Sequence, residues 1–306
     1  MQVLRTPDAR FTDLPGFPFG ANYLHIRDPA LGELRLHYLD EGPRGAPVAL
    51  CLHGEPTWCY LYRRMIPVLT AAGFRVLAPD LVGFGRSDKP AARTAYTYAS
   101  HVQWMRAWLE DLDLRDITLL AQDWGGLIGL RLATAMAERF ARLALSNTAL
   151  PTGDQPMPEA FMKWRAYSQQ VEDFDPGLIC NEFGRGSLTP GEMDAYRAPF
   201  PTARYQAGAR QFPLLVPITP DDPAAPDNRQ AWAALQTWTK PVLLCFSDGD
   251  PITGPAVEAF RRRVPGARGQ PHATLRGGHF IQESDGENWA RRVAAWAGAG
   301  PGAPAA

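Results

Sequence analysis

No stretch of this sequence approaches the eighteen or so uninterrupted apolar residues of a membrane span. Residues 1–20 carry Arg5, Asp8, Arg10 and Asp13 and have no apolar run that would make a signal peptide. Neither sign of charge is in excess, with 31 Lys and Arg against 32 Asp and Glu. A nucleic-acid binder would show a basic excess or stripe. The Arg261-Arg262-Arg263 run is too short for that and reads as a solvated helix face. The four cysteines, Cys51, Cys59, Cys180 and Cys245, have no CxxC spacing. They read as buried thiols of a reducing compartment, not as a disulfide or zinc site. These absences predict a soluble, cytoplasmic chain that is monomeric by default, with no metal, cofactor, nucleic acid or membrane to bind.

Glycine and proline are plentiful, at 28 and 29 residues, which could signal disorder. The 45% hydrophobic and 21% charged content argues otherwise, because a disordered chain lacks the apolar surface to offset its ordering entropy. Short apolar runs alternate with longer amphipathic ones. The pattern predicts strands over 34–40, 48–52, 75–78, 117–121 and 143–145, and helices over 60–72, 100–112 and 127–137. Such alternation implies βαβ units and a mostly parallel sheet covered by helices on both faces. The rhythm breaks near Pro151, and residues 151–228 hold Pro interruptions and aromatics without a convincing strand. A helix over 230–238, a strand over 242–246 and a helix over 288–296 then resume it, before a Gly/Pro/Ala tail that reads as disordered. The expected organisation is one α/β core, residues 1–150 and 229–306, interrupted by a helical cap over 151–228.

The segment Leu119-Leu120-Ala121-Gln122-Asp123-Trp124-Gly125-Gly126 runs from a strand directly into a helix. A nucleophile elbow needs small residues two before and two after the nucleophile, because the turn is sharp and strained. Ala121 and Gly125 meet that need, and the residue between them is Asp123. A carboxylate there can attack carbon and form an ester; alternatively, it only caps the following helix. His53-Gly54-Glu55-Pro56 follows the 48–52 strand, where an oxyanion loop belongs, and Gly278-His279-Phe280 lies late in the chain, as a general base should. Of the six histidines only His279 has both that position and a glycine-rich loop; His53 reads as a support for the oxyanion loop.

These pieces, together with Asp80-Leu81-Val82-Gly83-Phe84-Gly85-Arg86-Ser87-Asp88-Lys89-Pro90, resemble the α/β-hydrolase superfamily and, within it, the haloalkane dehalogenases. The elbow and late His are shared with many hydrolases; the Glu55 loop combined with Asp123-Trp124 is more specific. The resemblance implies an α/β-hydrolase fold with a helical cap. It also implies hydrolysis of haloalkanes to alcohol, halide and proton through an aspartyl ester, with only substrate, water and halide as partners. It offers two places for the triad acid. Ser146-Asn147-Thr148 holds no carboxylate, whereas Ser247-Asp248-Gly249-Asp250 holds two. Asp250 matches the family position and Asp248 is the competitor, a turn residue bonding its own backbone. The pairing of Asn147 with Asp250 resembles the subgroup whose acid comes late.

The implied site is Asp123 as nucleophile, Asp250 as acid and His279 as base, with the amides of Glu55 and Trp124 as oxyanion donors. A cis bond at Glu55-Pro56 is also implied. Halide would be held by the indole N–H groups of Trp124 and the cap residue Trp164, since an indole is a donor only. Phe161, Phe212 and Pro213 are expected to line the substrate cavity, although Trp164, Phe212 and Pro213 also fit plain cap packing. Rival readings remain. An epoxide hydrolase would use the same Asp123 with cap tyrosines such as Tyr167, Tyr196 or Tyr205. A fluoroacetate dehalogenase would need an arginine pair that Leu127 and Arg131 do not supply. A non-catalytic binding scaffold on the same fold is the third.

Overall fold

Three runs, Val48–Leu52, Ile117–Ala121 and Val242–Ser247, are buried at every position. Strands covered on both faces read as continuous apolar runs, and these three lie inside one sheet. The computed structural model describes residues 1–186 and 188–298. In chain order its strands are β1 (Val3–Leu4), β2 (Asn22–Asp28), β3 (Gly32–Glu41), β4 (Val48–Leu52), β5 (Arg75–Pro79), β6 (Lys89–Pro90), β7 (Ile117–Ala121), β8 (Phe140–Leu145), β9 (Val242–Ser247) and β10 (Ala273–Leu275). The eight-stranded sheet has the order β10-β9-β8-β7-β4-β5-β3-β2, while β1 and β6 pair apart from it. Within the eight-stranded sheet the pairings along β10-β9-β8-β7-β4-β5 are parallel, and β2 with β3 and β3 with β5 are antiparallel, as is the separate pair of β1 with β6.

The helices are α1 (Ile66–Ala71), α2 (Tyr98–Asp111), α3 (Trp124–Ala135), α4 (Glu159–Gln170), α5 (Pro176–Phe183), α6 (Pro190–Arg197), α7 (Ala207–Leu215), α8 (Ala225–Leu235), α9 (Val257–Arg263), α10 (Ile281–Ser284) and α11 (Gly286–Gly298). Their starts are written locally. Thr97 and Ser100 close a capping box on α2, Thr189 and Glu192 another on α6, and Asp175 caps α5 ahead of Pro176. In the sheet's cover α1 packs on α11, and α3 packs on α2 and α8. Helices α4 to α7 lie between β8 and β9, and the described part of residues 151–228 contains no strand. Helix α8 spans Ala225–Leu235 and packs on α3, starting a few residues before the helix expected over 230–238.

Three local expectations need correction. Strand β2 pairs with β3 along its whole length but was not anticipated, because Tyr23, His25 and Arg27 alternate with Leu24 and Ile26 at a sheet edge. The stretch 60–72 is a 3-10 turn, Cys59–Tyr62, followed by the short α1, with Pro67 near the helix start. Helix α3 begins at Trp124, immediately after Asp123 and ahead of the expected start at 127. The expected disordered tail falls on residues 299–306, outside those described. Among the described residues no helix is long and apolar enough to cross a membrane.

The Asp80–Pro90 motif is explained by its hydrogen bonds. Asp80 accepts from the Cys59 amide at 2.8 Å and the Arg86 amide at 2.8 Å, and its Oδ2 lies 2.7 Å from His37 Nδ1. Lys89 Nζ donates to the carbonyls of Gly85 and Ser87 at 2.6 and 2.9 Å. His37, Cys59 and Asp80 thus form a hydrogen-bonded knot, with the carboxylate oxygens already occupied by backbone and ring donors.

Candidate active site

In open parallel sheets ligands bind beyond the carboxyl ends of the strands. The candidate residues follow β4, β7, β8, β9 and β10 at that end. Asp123 takes φ 51° and ψ −130°, a strained conformation for a residue with a side chain, and projects from the turn between β7 and α3. It does not cap α3 with its side chain. The strain is held by tight packing on both sides. A Cβ on Gly125 would strike the Leu52 carbonyl, and one on Gly54 would strike the Asp123 carboxylate. Glycine is therefore needed at 54 and 125 for close approach of backbone to nucleophile.

Around Asp123 the expected groups come together. The Glu55 amide donates to Asp123 Oδ1 at 2.8 Å, and the Glu55-Pro56 bond is cis. Asp123 Oδ2 lies 3.4 Å from His279 Nε2, and His279 Nδ1 lies 3.0 Å from Asp250 Oδ2. The Trp124 amide opens α3 but makes no hydrogen bond to the Asp123 carboxylate among the described residues. Asp248 is elsewhere: it accepts from Arg185 at 2.9 Å and from the Gly277 amide at 3.1 Å, half exposed at the turn. His53 is buried, accepting from the Leu81 amide through Nε2 at 2.9 Å, with Nδ1 2.8 Å from the Gly54 carbonyl.

Charge follows geometry. Burial alone would depress the His279 imidazole, but Asp250 and Asp123 at its two nitrogens lift it to about 10. Burial would raise Asp250, yet His279 and the donors of Thr253 and Ile252 bring its carboxyl down to about 2. Burial first, and the charge of Asp123 second, push Glu55 well above the ordinary carboxylate range. Glu55 Oε1 is buried without a hydrogen-bond partner among the described residues.

A cavity of about 370 Å³ opens over these groups. Asp123, Trp124, His279, Phe161, Trp164 and Pro213 all line it. Trp164 is half-buried, its ring set edge-on to Phe183 at 5.5 Å, so one face is packed while the side chain still borders the cavity. Phe212 must be corrected. It is fully buried and stacked between Trp124 and Phe84, so it backs the cavity wall and does not form it. On a helix, neighbours 212 and 213 face different directions, and it is Pro213 that turns inward.

Sequence reasoning named Asn147 beside Asp250 only through the late-acid subgroup and missed what its side chain does. With φ 37°, its amide donates to the carbonyls of Gly278 and His279 at 2.9 and 2.8 Å and its oxygen accepts from the Ser247 amide at 2.9 Å. Asn147 therefore ties β8, β9 and the base loop together. Gln122 adds a donation to the His279 carbonyl at 3.1 Å. Thr253, whose hydroxyl donates to Asp250, was also missed. The positive φ and the long-range partners carry no sequence signal.

A strained carboxylate elbow, a carboxylate-held imidazole and a backbone donor at the ends of a parallel sheet define an α/β hydrolase. The family model described as "alpha/beta hydrolase fold" matches residues 47–285. The chain is 56% identical over 292 residues to a haloalkane dehalogenase of Psychrobacter cryohalolentis, covering 95% of this chain and 96% of that one. It is 50% identical to one from Mycobacterium marinum, covering 97% and 100%. Among solved structures, haloalkane dehalogenase DpaA from Paraglaciecola agarilytica NO2, described as tetrameric, superposes with a TM-score of 0.89 at 36% identity, covering 95% and 97%. The chain belongs to the haloalkane dehalogenase family and is a hydrolase of carbon–halogen bonds.

Proposed function

We propose that Asp123, His279 and Asp250 perform this hydrolysis in two steps. Asp123 Oδ2 attacks the halogen-bearing sp³ carbon in line, the new C–O bond forms as the carbon–halogen bond breaks, and halide leaves with the bonding pair. The N–H groups of the Trp124 and Trp164 indoles receive the halide in a dry pocket. Water then gives a proton to His279 Nε2 as its oxygen adds to Cγ of the Asp123 ester. Negative charge gathers on Oδ1, where the Glu55 amide already donates at 2.8 Å and the Trp124 amide becomes the second donor. Collapse expels the alkoxide, which takes the proton from His279 and leaves as alcohol, while the Asp123 carboxyl gives up water's second proton to solvent and returns to carboxylate.

The observation that carries this reading is the division of labour between the two oxygens of Asp123. Oδ1 is held by backbone, whereas Oδ2 faces His279 Nε2 at 3.4 Å. Alkylating Asp123 removes its charge, and with it one of the two influences holding His279 high, so the imidazole becomes a base only once the ester exists. Asp250 orients the ring as the late acid of its subgroup. Tyr167, Tyr196 and Tyr205 do not line the cavity, which leaves an epoxide without acid assistance.

Residues 151–228 serve as the cap that sets cavity shape. The buried free cysteines favour a reducing, cytoplasmic setting. We retain a monomer, since large exposed apolar side chains are scattered singly, at Met1, Met162, Tyr167 and Leu178. Sedimentation at micromolar concentration tests this against a tetramer like that of the DpaA relative. The residue assignment is tested by halide release from short bromo- and chloroalkanes, with Asp123→Asn as control. Release that survives Asp123→Asn would overturn it.

A further inference from the structure

Besides the triad the cavity is lined by two segments that carry exposed residues, Gln155 and Arg263, and these form the lips of its solvent-facing mouth. One is the loop 149–158, which contributes Gln155 and Met157; the other is the segment 252–263, which contributes Pro255, Ala259 and Arg263. Glu55, Asp123 and His279 are charged or titratable at the inner end, and Arg263 is the remaining ionisable side chain of the lining.

Both lips are built around Trp232. Its indole donates to the Leu150 carbonyl at 2.6 Å, while Asn228 donates to the Pro151 carbonyl at 2.7 Å and Arg229 pairs with Asp154 at 2.6 Å. Helix α8 thus pins the first lip. The Arg263 guanidinium lies over the face of the same Trp232, 4.1 Å from the ring centroid. Its two neighbours are engaged locally: Arg261 pairs with Glu258 at 2.9 Å, and Arg262 donates to the Glu258 carbonyl at 3.3 Å. Arg263 has no carboxylate partner among the described residues. The second lip therefore presents a guanidinium, oriented by Trp232, on a mostly apolar channel whose uncharged polar side chains are Thr152, Gln155 and Thr253.

We infer that Arg263 forms a distal anion subsite, so that ω-haloalkanoates, with halogen at Asp123 and carboxylate at the mouth, are substrates of this enzyme. This rests on the dehalogenation proposed above and adds a substrate class to it. The carboxylate sits a chain length away from the reacting carbon, so it avoids repulsion with Asp123. The planar fork of arginine suits a carboxylate better than a lysine ammonium would.

The test is steady-state halide release from a homologous series of ω-bromoalkanoates and from 1-bromoalkanes of matched length. For acids long enough to reach the mouth, Arg263→Ala should lower the acid-to-neutral ratio of kcat/KM by roughly fivefold, acting mainly through KM. Arg263→Lys should restore part of that ratio, and added salt should reduce it in the wild type. An unchanged ratio in Arg263→Ala overturns the proposal, as does failure of the wild type to turn over the acids while it turns over bromoalkanes. Failure on both substrate classes would overturn the dehalogenation reading as well.

Discussion

The indole of Trp124 lies flat on the ring of Phe212, with centroids 4.4 Å apart and 13° between the planes. Phe212 is in turn stacked on Phe84 at 4.9 Å, so the cavity-facing tryptophan ends an aromatic column rooted in the core. Removing the middle ring should leave the indole without backing. Phe212→Ala is expected to cost about 3–5 kcal/mol of stability, read by urea unfolding. It should also weaken bromide quenching of tryptophan fluorescence. Phe212→Leu should keep most of both. Halide quenching untouched in Phe212→Ala would mean that Trp124 is oriented by something else.

His279→Phe should permit alkylation and block hydrolysis. Incubated with a bromoalkane, that variant is expected to gain the mass of one alkyl group, located on the peptide containing Asp123. No mass gain would remove Asp123 from the role of nucleophile or His279 from that of base.

The pH dependence of ester hydrolysis follows from who holds His279 up. Asp250 raises the imidazole, so Asp250→Asn should move the acid limb of the hydrolysis rate to lower pH. The plateau should fall by about three to four orders of magnitude, because the ring loses its orienting partner. Single-turnover hydrolysis across pH reads both effects. An acid limb that stays put or moves upward would contradict the assignment of Asp250.

A buried ionic cluster clamps cap to core. Arg63 pairs with Glu283 at 2.5 Å and with Glu192 of α6 at 2.7 Å, and the Tyr196 hydroxyl donates to Glu283. Glu283→Gln leaves Arg63 buried and half-paired, and should cost about 3–5 kcal/mol in urea unfolding. Tyr196→Phe should cost about 1 kcal/mol.

Acid stability adds a signed test of the same cluster. Burial would raise Glu192, but the Thr189 amide and Arg63 bring it down to about 2, and Asp250 also lies at about 2. A carboxyl lowered in the folded state adds stability that is complete above its unfolded value and lost as pH falls through its folded one. Stability should therefore decline from roughly pH 4.5 towards pH 2. Glu192→Gln should flatten that decline, and an unaltered slope would show that Glu192 is not among its sources.

What the sequence made legible was whatever is encoded locally. The apolar runs of β4, β7 and β9, the small residues flanking Asp123 and the glycine beside His279 all carry their reason in their neighbours. Asn147 does not, since its amide serves carbonyls more than a hundred residues away. The Arg63 cluster joins positions 63, 192, 196 and 283, which no spacing rule connects. Phe212 was placed in the right neighbourhood but on the wrong side of Trp124, because which face of a short helix meets the cavity is decided by packing. Strand β2 was unread because its pattern belongs to an exposed edge.

The cap enters the chain between β8 and β9, and these two strands lie side by side, Leu143 opposite Val242. Reading the chain in the order of its synthesis gives that arrangement a temporal meaning. The elbow and oxyanion loop belong to the portion made first, while Asp250 and His279 arrive only after the whole cap has been made. With the roles proposed above, a chain halted within the cap would own a nucleophile and no base, so it could at most be alkylated once and never turn over. On those roles, catalytic competence would wait for the segments made last, since Asp250 follows β9, the neighbour of β8, and His279 follows β10.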